Sequence, residues 1–142
     1  MEKIEWDKSL SIGIQLIDEQ HKALIKRLND VSVAIEANIG EREISKTLEF
    51  LSEYADYHFS VEEKHMAEQG YPGLEAQKMK HQEFMDTLSN LDQDFEEEGS
   101  TRALSDAINN FLFNWLTHHI QGLDQQFGNF LSEKGVVIQE EE

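Results

Sequence analysis

The 142-residue sequence contains no cysteine. Disulfides, thiolate metal sites and a cysteine nucleophile are therefore excluded. Cationic residues are scarce: 12 Lys and Arg stand against 29 Asp and Glu, a formal net charge of −17. Such a surface repels phosphate backbones, which argues against nucleic acid as a partner and disfavours anionic membrane surfaces. No apolar run approaches the ~18–20 residues that span a bilayer. The opening stretch 1–7 has no cationic start followed by an apolar segment, so no secretory signal is legible and the expected compartment is the cytoplasm. Proline occurs once, at Pro72. There is no sustained strand alternation, repeat, low-complexity tract or second domain. What remains is one domain whose apolar fraction, 39%, builds a core only if its apolar positions are well placed.

They are placed with helical periodicity. Gly40, Gly70, Gly73 and Gly99 separate four periodic stretches, 18–38, 42–69, 74–98 and 101–132. Asp18 and Ser100 are the expected N-caps of the first and last. Before them, Ile4, Trp6, Ile12, Ile14 and Leu16 suggest an arm that packs on the helices, and the acidic stretch 139–142 suggests a frayed end. Four helices with short links predict an all-α protein, an up-down-up-down four-helix bundle with an N-terminal arm. The expected organisation is an arm over 1–17, a bundle over 18–132 and an acidic tail over 133–142.

The chemistry lies on the inward stripes. In the second stretch Ile44, Leu48, Leu51, Ala55, His58, Glu62 and His65 alternate steps of four and three, which makes one face of a helix. Its first half is apolar and its second half carries metal-ligand side chains. Gln77, His81, Phe84, Leu88, Leu91 and Phe95 repeat the pattern in the third stretch, and His21, Leu24, Leu28, Val31 and Ile35 in the first. Each polar residue on such a stripe costs several kcal/mol to bury without a partner. Antiparallel helices rise equally in opposite directions. Counting from the turns between them sets His21 level with His58, Glu62 with His81, His65 with Gln77, and His81 with His119. On the fourth stretch Ile108, Leu112, Trp115, Leu116, Leu123 and Phe127 share one arc, with His119 inside it and His118 outside. Asp124 falls at the arc's edge and joins the same level only if it leans in or the helix loosens there into a wider turn. Imidazoles and carboxylates without sulfur suit first-row transition metals, and a cluster richer than four ligands argues for two ions.

At these residues the sequence resembles the hemerythrin family in its bacterial form, over nearly its whole length. The resemblance rests on I-E-W, S-I-G-I and I-D-E-Q-H-K-A-L near the start, on H-F-S-V-E-E-K-H-M followed by G-Y-P, and on W-L-T-H-H-I-Q-G-L-D, which spaces His119 and Asp124 as the family does. It implies two Fe ions with a bridging oxo or hydroxo group, His21 and His58 on one, His81 and His119 on the other, and Glu62 and Asp124 as bridges. It implies that Leu24, Phe59, Trp115, Leu116 and Ile120 line a dioxygen pocket. The implied activity is reversible binding of dioxygen, or of another small diatomic or anion, at an open iron position. That is an oxygen-binding protein rather than an enzyme.

One position departs from the pattern. Where the family's third helix has His-x3-His, this chain has Gln77-x3-His81, and a glutamine carbonyl is a poor iron ligand. His65 stands where an apolar residue is usual, three residues after Glu62 and level with Gln77. Glu-x-x-His is the arrangement of other di-iron bundles. The expectation is that His65 supplies the ligand Gln77 cannot, with Gln77 hydrogen-bonding behind the ligands or ligating weakly. A rearranged set leaves the alternative of a di-iron redox enzyme acting on peroxide or nitric oxide or as a ferroxidase. No protein partner is legible.

Overall fold

A computed structural model describes residues 6–37, 41–99 and 102–135, and among them every regular element is helical. Helix α1 spans Gln15–Ala37, α2 Glu41–Glu68, α3 Leu74–Glu98 and α4 Arg102–His119. A π-helical turn, Ile120–Asp124, joins α4 without a break to α5, Gln125–Lys134. The rods form a closed ring: α1 packs on α2, α2 on α3, α3 on α4, and α4 on α1. This is the expected four-helix bundle. Gly70 and Gly99 end α2 and α3 at φ 65° and 75°, a region open to glycine at no steric penalty.

The two halves of α2 differ as the stripe predicts. Ile44, Leu48, Leu51 and Ala55 are buried with Leu28 and Val31 of α1 and Leu88 of α3 in one apolar core. This packing holds the rods in register for the polar level beyond it. The arm closes one side. Asp7 caps a 3₁₀ turn, Lys8–Leu10, by accepting the Ser9 N–H at 2.8 Å, and Leu10, Ile12 and Ile14 are buried. A Cβ on Gly128 would lie 2.1 Å from the Ile12 carbonyl oxygen, so the arm's backbone rests directly on α5.

Asp18 is not the N-cap. The helix starts earlier, at Gln15, and the Asp18 N–H already bonds the Ile14 carbonyl at 2.8 Å. Its carboxylate instead accepts the Ile12 N–H at 2.9 Å and the Ser11 hydroxyl, so it ties the arm to the first turn of α1. A negative charge there also suits the helix dipole. Leu16 correspondingly belongs to α1 rather than to the arm. Ile4, Gly40, Ser100, the stretch 139–142 and the side chains of Ile108 and Leu112 lie outside the described residues.

Candidate metal centre

The polar stripe residues converge. His21, Glu62, Gln77 and Asp124 are 0% exposed, His58 1%, His81 2%, and His65 and His119 6%. Ligand atoms of His21, His58 and Glu62 lie within 4.8 Å of one another, and so do those of His81, His119 and Asp124. Both carboxylates reach across. Glu62 Oε1 is 2.8 Å from His58 Nε2 and 3.7 Å from His81 Nε2, and its Oε2 is 3.9 Å from His21 Nε2. Asp124 Oδ2 is 3.0 Å from His21 Nε2, and its Oδ1 is 3.3 Å from His119 Nε2. The Nε2 atoms of His81 and His119 are 3.1 Å apart.

The π turn makes Asp124 part of this cluster. One extra residue per turn compensates for the five-residue spacing from His119, so both side chains point inward. His118 remains exposed on the outer face of α4.

Two hydrogen bonds from neighbouring residues aim the imidazoles. His58 Nδ1 donates to the Gln20 side-chain carbonyl at 2.8 Å, and His81 Nδ1 to the Glu63 carboxylate at 2.7 Å. Each bond places the ring proton on Nδ1 and leaves Nε2 a lone pair facing inward. Sequence reasoning missed Gln20 and Glu63. The signal was present, since Gln20 precedes His21, set level with His58, and Glu63 follows Glu62, set level with His81.

The remaining donors fit cations. Both ring nitrogens of His21 and both oxygens of Glu62 are buried without a hydrogen bond, although imidazoles stand close by. Buried polar atoms are rarely left so. With its Nδ1 proton given to Gln20, His58 turns a lone pair at 2.8 Å toward Glu62 Oε1, and a cation between them turns that repulsion into coordination. The set is nitrogen and carboxylate oxygen only, which suits first-row transition ions, and its two groups offer two positions.

Protonation states agree at His58, His81 and Asp124. Burial pushes His58 down to about 4 and His81 down to about 3, so both are neutral and able to ligate near pH 7. Burial, with Asp124 beside it, raises the Glu62 carboxyl above its ordinary range. Burial opposes ionisation of Asp124 too, but His119 outweighs it and holds Asp124 below its ordinary value. For His119, burial is likewise outweighed by Asp124, and its pKa is raised.

Aromatic rings cover the His81–His119 side. Phe59 stacks on His81 at 4.0 Å between ring centres, and Trp115 on His119 at 4.5 Å. Trp115 is partly buried and donates its indole N–H to Glu83 at 3.2 Å. Outside it lies a surface cavity of about 580 Å³, which His119, Lys80 and Phe111 also line. Leu24, Leu116 and Ile120 are buried in the core.

His65 and Gln77 take different places. His65 is buried one turn beyond Glu62, with Nδ1 3.9 Å from the Glu68 carboxylate, and belongs to neither donor group. Gln77 donates its amide N–H to Asp124 Oδ1 at 2.9 Å.

Fold and site together define a four-helix bundle built around a buried cation-binding centre. A family model described as the hemerythrin HHE cation-binding domain matches residues 12–131. The bacteriohemerythrin of Stenotrophomonas maltophilia (strain R551-3) is 31% identical over 129 residues, 91% of this chain and 82% of its own. The myohemerythrin of Theromyzon tessulatum is 29% identical, over 89% of this chain and 92% of its own. A crystal structure of wild-type hemerythrin superposes with a TM-score of 0.79 at 26% identity, covering 91% of this chain and 98% of the other. The chain belongs to the hemerythrin family, whose members hold a non-haem di-iron centre and bind oxygen. Among the described residues, no helix is long and apolar enough to cross a membrane.

Proposed function

We propose that this protein binds dioxygen reversibly in the cytoplasm, for storage, delivery or sensing, at a di-iron centre held by His21, His58, His81 and His119. Glu62 and Asp124 would be the carboxylates shared by the two ions. The observation that carries this reading is the placement of both carboxylates between the two imidazole pairs, each within 4 Å of an imidazole from either group. When bound, the iron pair supplies electrons that dioxygen takes up on binding and returns on release. The chain's own residues do the rest. Gln20 and Glu63 fix the donor nitrogens of His58 and His81 inward. Leu24, Phe59, Trp115, Leu116 and Ile120 form an apolar wall that keeps water and stray protons from the centre. The domain reading that goes with this function keeps the expected order, an arm over 1–17, a bundle over 18–132 and a tail over 133–142, with the bundle's helices reaching from Gln15 to Lys134.

The test is iron content and absorption spectrum on anaerobically purified protein, before and after air. Two irons per chain and a spectral change that reverses on deoxygenation are expected. Rapid, irreversible oxidation with turnover of a reductant or peroxide would instead establish the redox-enzyme reading.

His65 is proposed as a further donor. Its support is the burial of an imidazole three residues beyond Glu62 and level with Gln77. His65→Leu is then expected to lower iron toward one per chain, and His118→Ala to leave it unchanged. Adding Gln77→His to His65→Leu is expected to restore the second iron. An unchanged iron content and spectrum in His65→Leu removes His65 from the ligand set.

A further inference from the structure

Gln77 sits on α3 one turn before His81 and is 0% exposed. Its amide is oriented unambiguously. Nε2 donates to Asp124 Oδ1 at 2.9 Å, and an amide oxygen in that place would face a second acceptor. The carbonyl oxygen Oε1 is buried as well and receives no hydrogen bond. A buried acceptor without a donor is expensive to keep, more so than an apolar side chain of similar shape. The held end touches the very oxygen that lies 3.3 Å from His119 Nε2, so the amide stands against the edge of that donor group. The donor groups flanking it contain only two imidazoles and one carboxylate each, which leaves room for a ligand from outside.

We infer that Gln77 is a ligand-selecting residue: its N–H positions Asp124, and its carbonyl oxygen accepts a hydrogen bond from a small exogenous ligand that carries a proton. The inference rests on the metal-centre reading above and adds a preference to it. A ligand with an N–H or O–H completes the buried acceptor, whereas an aprotic anion of the same size brings a lone pair against it.

A matched pair of probes tests this. Azide and hydrogencyanamide anions share a near-linear frame of three heavy atoms, and only the second bears an N–H. Their dissociation constants are measured by spectrophotometric titration of the oxidised protein, wild type and Gln77→Leu, each first shown to hold two irons. The expected result is a loss of about tenfold in the preference for hydrogencyanamide over azide in Gln77→Leu, with azide binding unchanged or tighter. The metal-free Gln77→Leu protein is expected to melt within a few degrees of wild type, because the bare carbonyl and the hydrogen bond to Asp124 are lost together and offset each other. An unchanged ratio of the two constants in protein with its full metal overturns the inference. So does a metal-free variant that melts well below wild type, since Gln77 would then be a structural hydrogen-bonding residue. If Gln77→Leu does not retain iron, Gln77→Met replaces it in the same titration. Wild-type protein without two irons would instead bring down the metal-centre reading, which separates the two failures.

Discussion

Glu62→Gln is expected to strip the metal pair while leaving the metal-free fold as stable as before, or more so. Glu62 is fully buried, neither of its oxygens receives a hydrogen bond, and Asp124 stands beside it. In the metal-free protein its ionised form is strongly disfavoured, because a buried carboxylate beside Asp124 costs several kcal/mol to ionise and His21 and His119 compensate only part of that. Burial raises its pKa for the same reason. An isosteric neutral amide removes that penalty and also removes the charge that two cations would share. Iron per chain is expected to fall by at least about half. The metal-free melting temperature is expected to hold or to rise by a few degrees, at roughly 2–4 °C per kcal/mol for a domain of this size. Elemental analysis and calorimetry of the metal-free variant check both parts. Destabilisation of the metal-free variant by more than about 1 kcal/mol would show that Glu62 is held for structure.

Acid is expected to destabilise the metal-free protein well above the pH at which ordinary carboxylates titrate. Burial lowers His58 to about 4 and His81 to about 3. An unfolded chain protonates both from about pH 6.5 downward. Between those limits the unfolded state binds more protons, so stability rises with pH. It is complete above about pH 6.5 and declines as pH falls through the two folded values, by about 1.4 kcal/mol per unit per group. Glu62 and His119, both raised, act in the opposite sense over part of the range. The decline is therefore steepest in Glu62→Gln, where one opposing proton is gone. Denaturant unfolding at pH 7 and pH 5 measures it. In loaded protein the same protons compete with the metal, and iron release is expected to follow the same window. A metal-free protein equally stable at both pH values would mean that His58 and His81 are not held neutral.

How far the sequence carried can be judged from individual residues. The stripe in α2 was legible because periodicity is a property of a single rod, and its apolar half packs as its spacing implied. His119 could be told from His118 on the same ground. Gln20 and Glu63 were harder. Each acts on an imidazole of another helix, through a bond that depends on the rotation of two rods relative to each other. Asp18 was misplaced because its carboxylate serves the arm, a contact that helix-capping statistics do not contain.

Taken alone, the sequence determined the number of helices, their approximate ends, and the set of imidazoles and carboxylates that share one depth. Spacing along a chain encodes all of these. Only the tertiary structure decided which nitrogen of His58 and His81 is bare, that a π turn swings Asp124 inward beside His119, and which end of the Gln77 amide faces Asp124. Those are matters of angle between side chains on different rods, and they follow from how the rods pack rather than from the order of residues within any one of them.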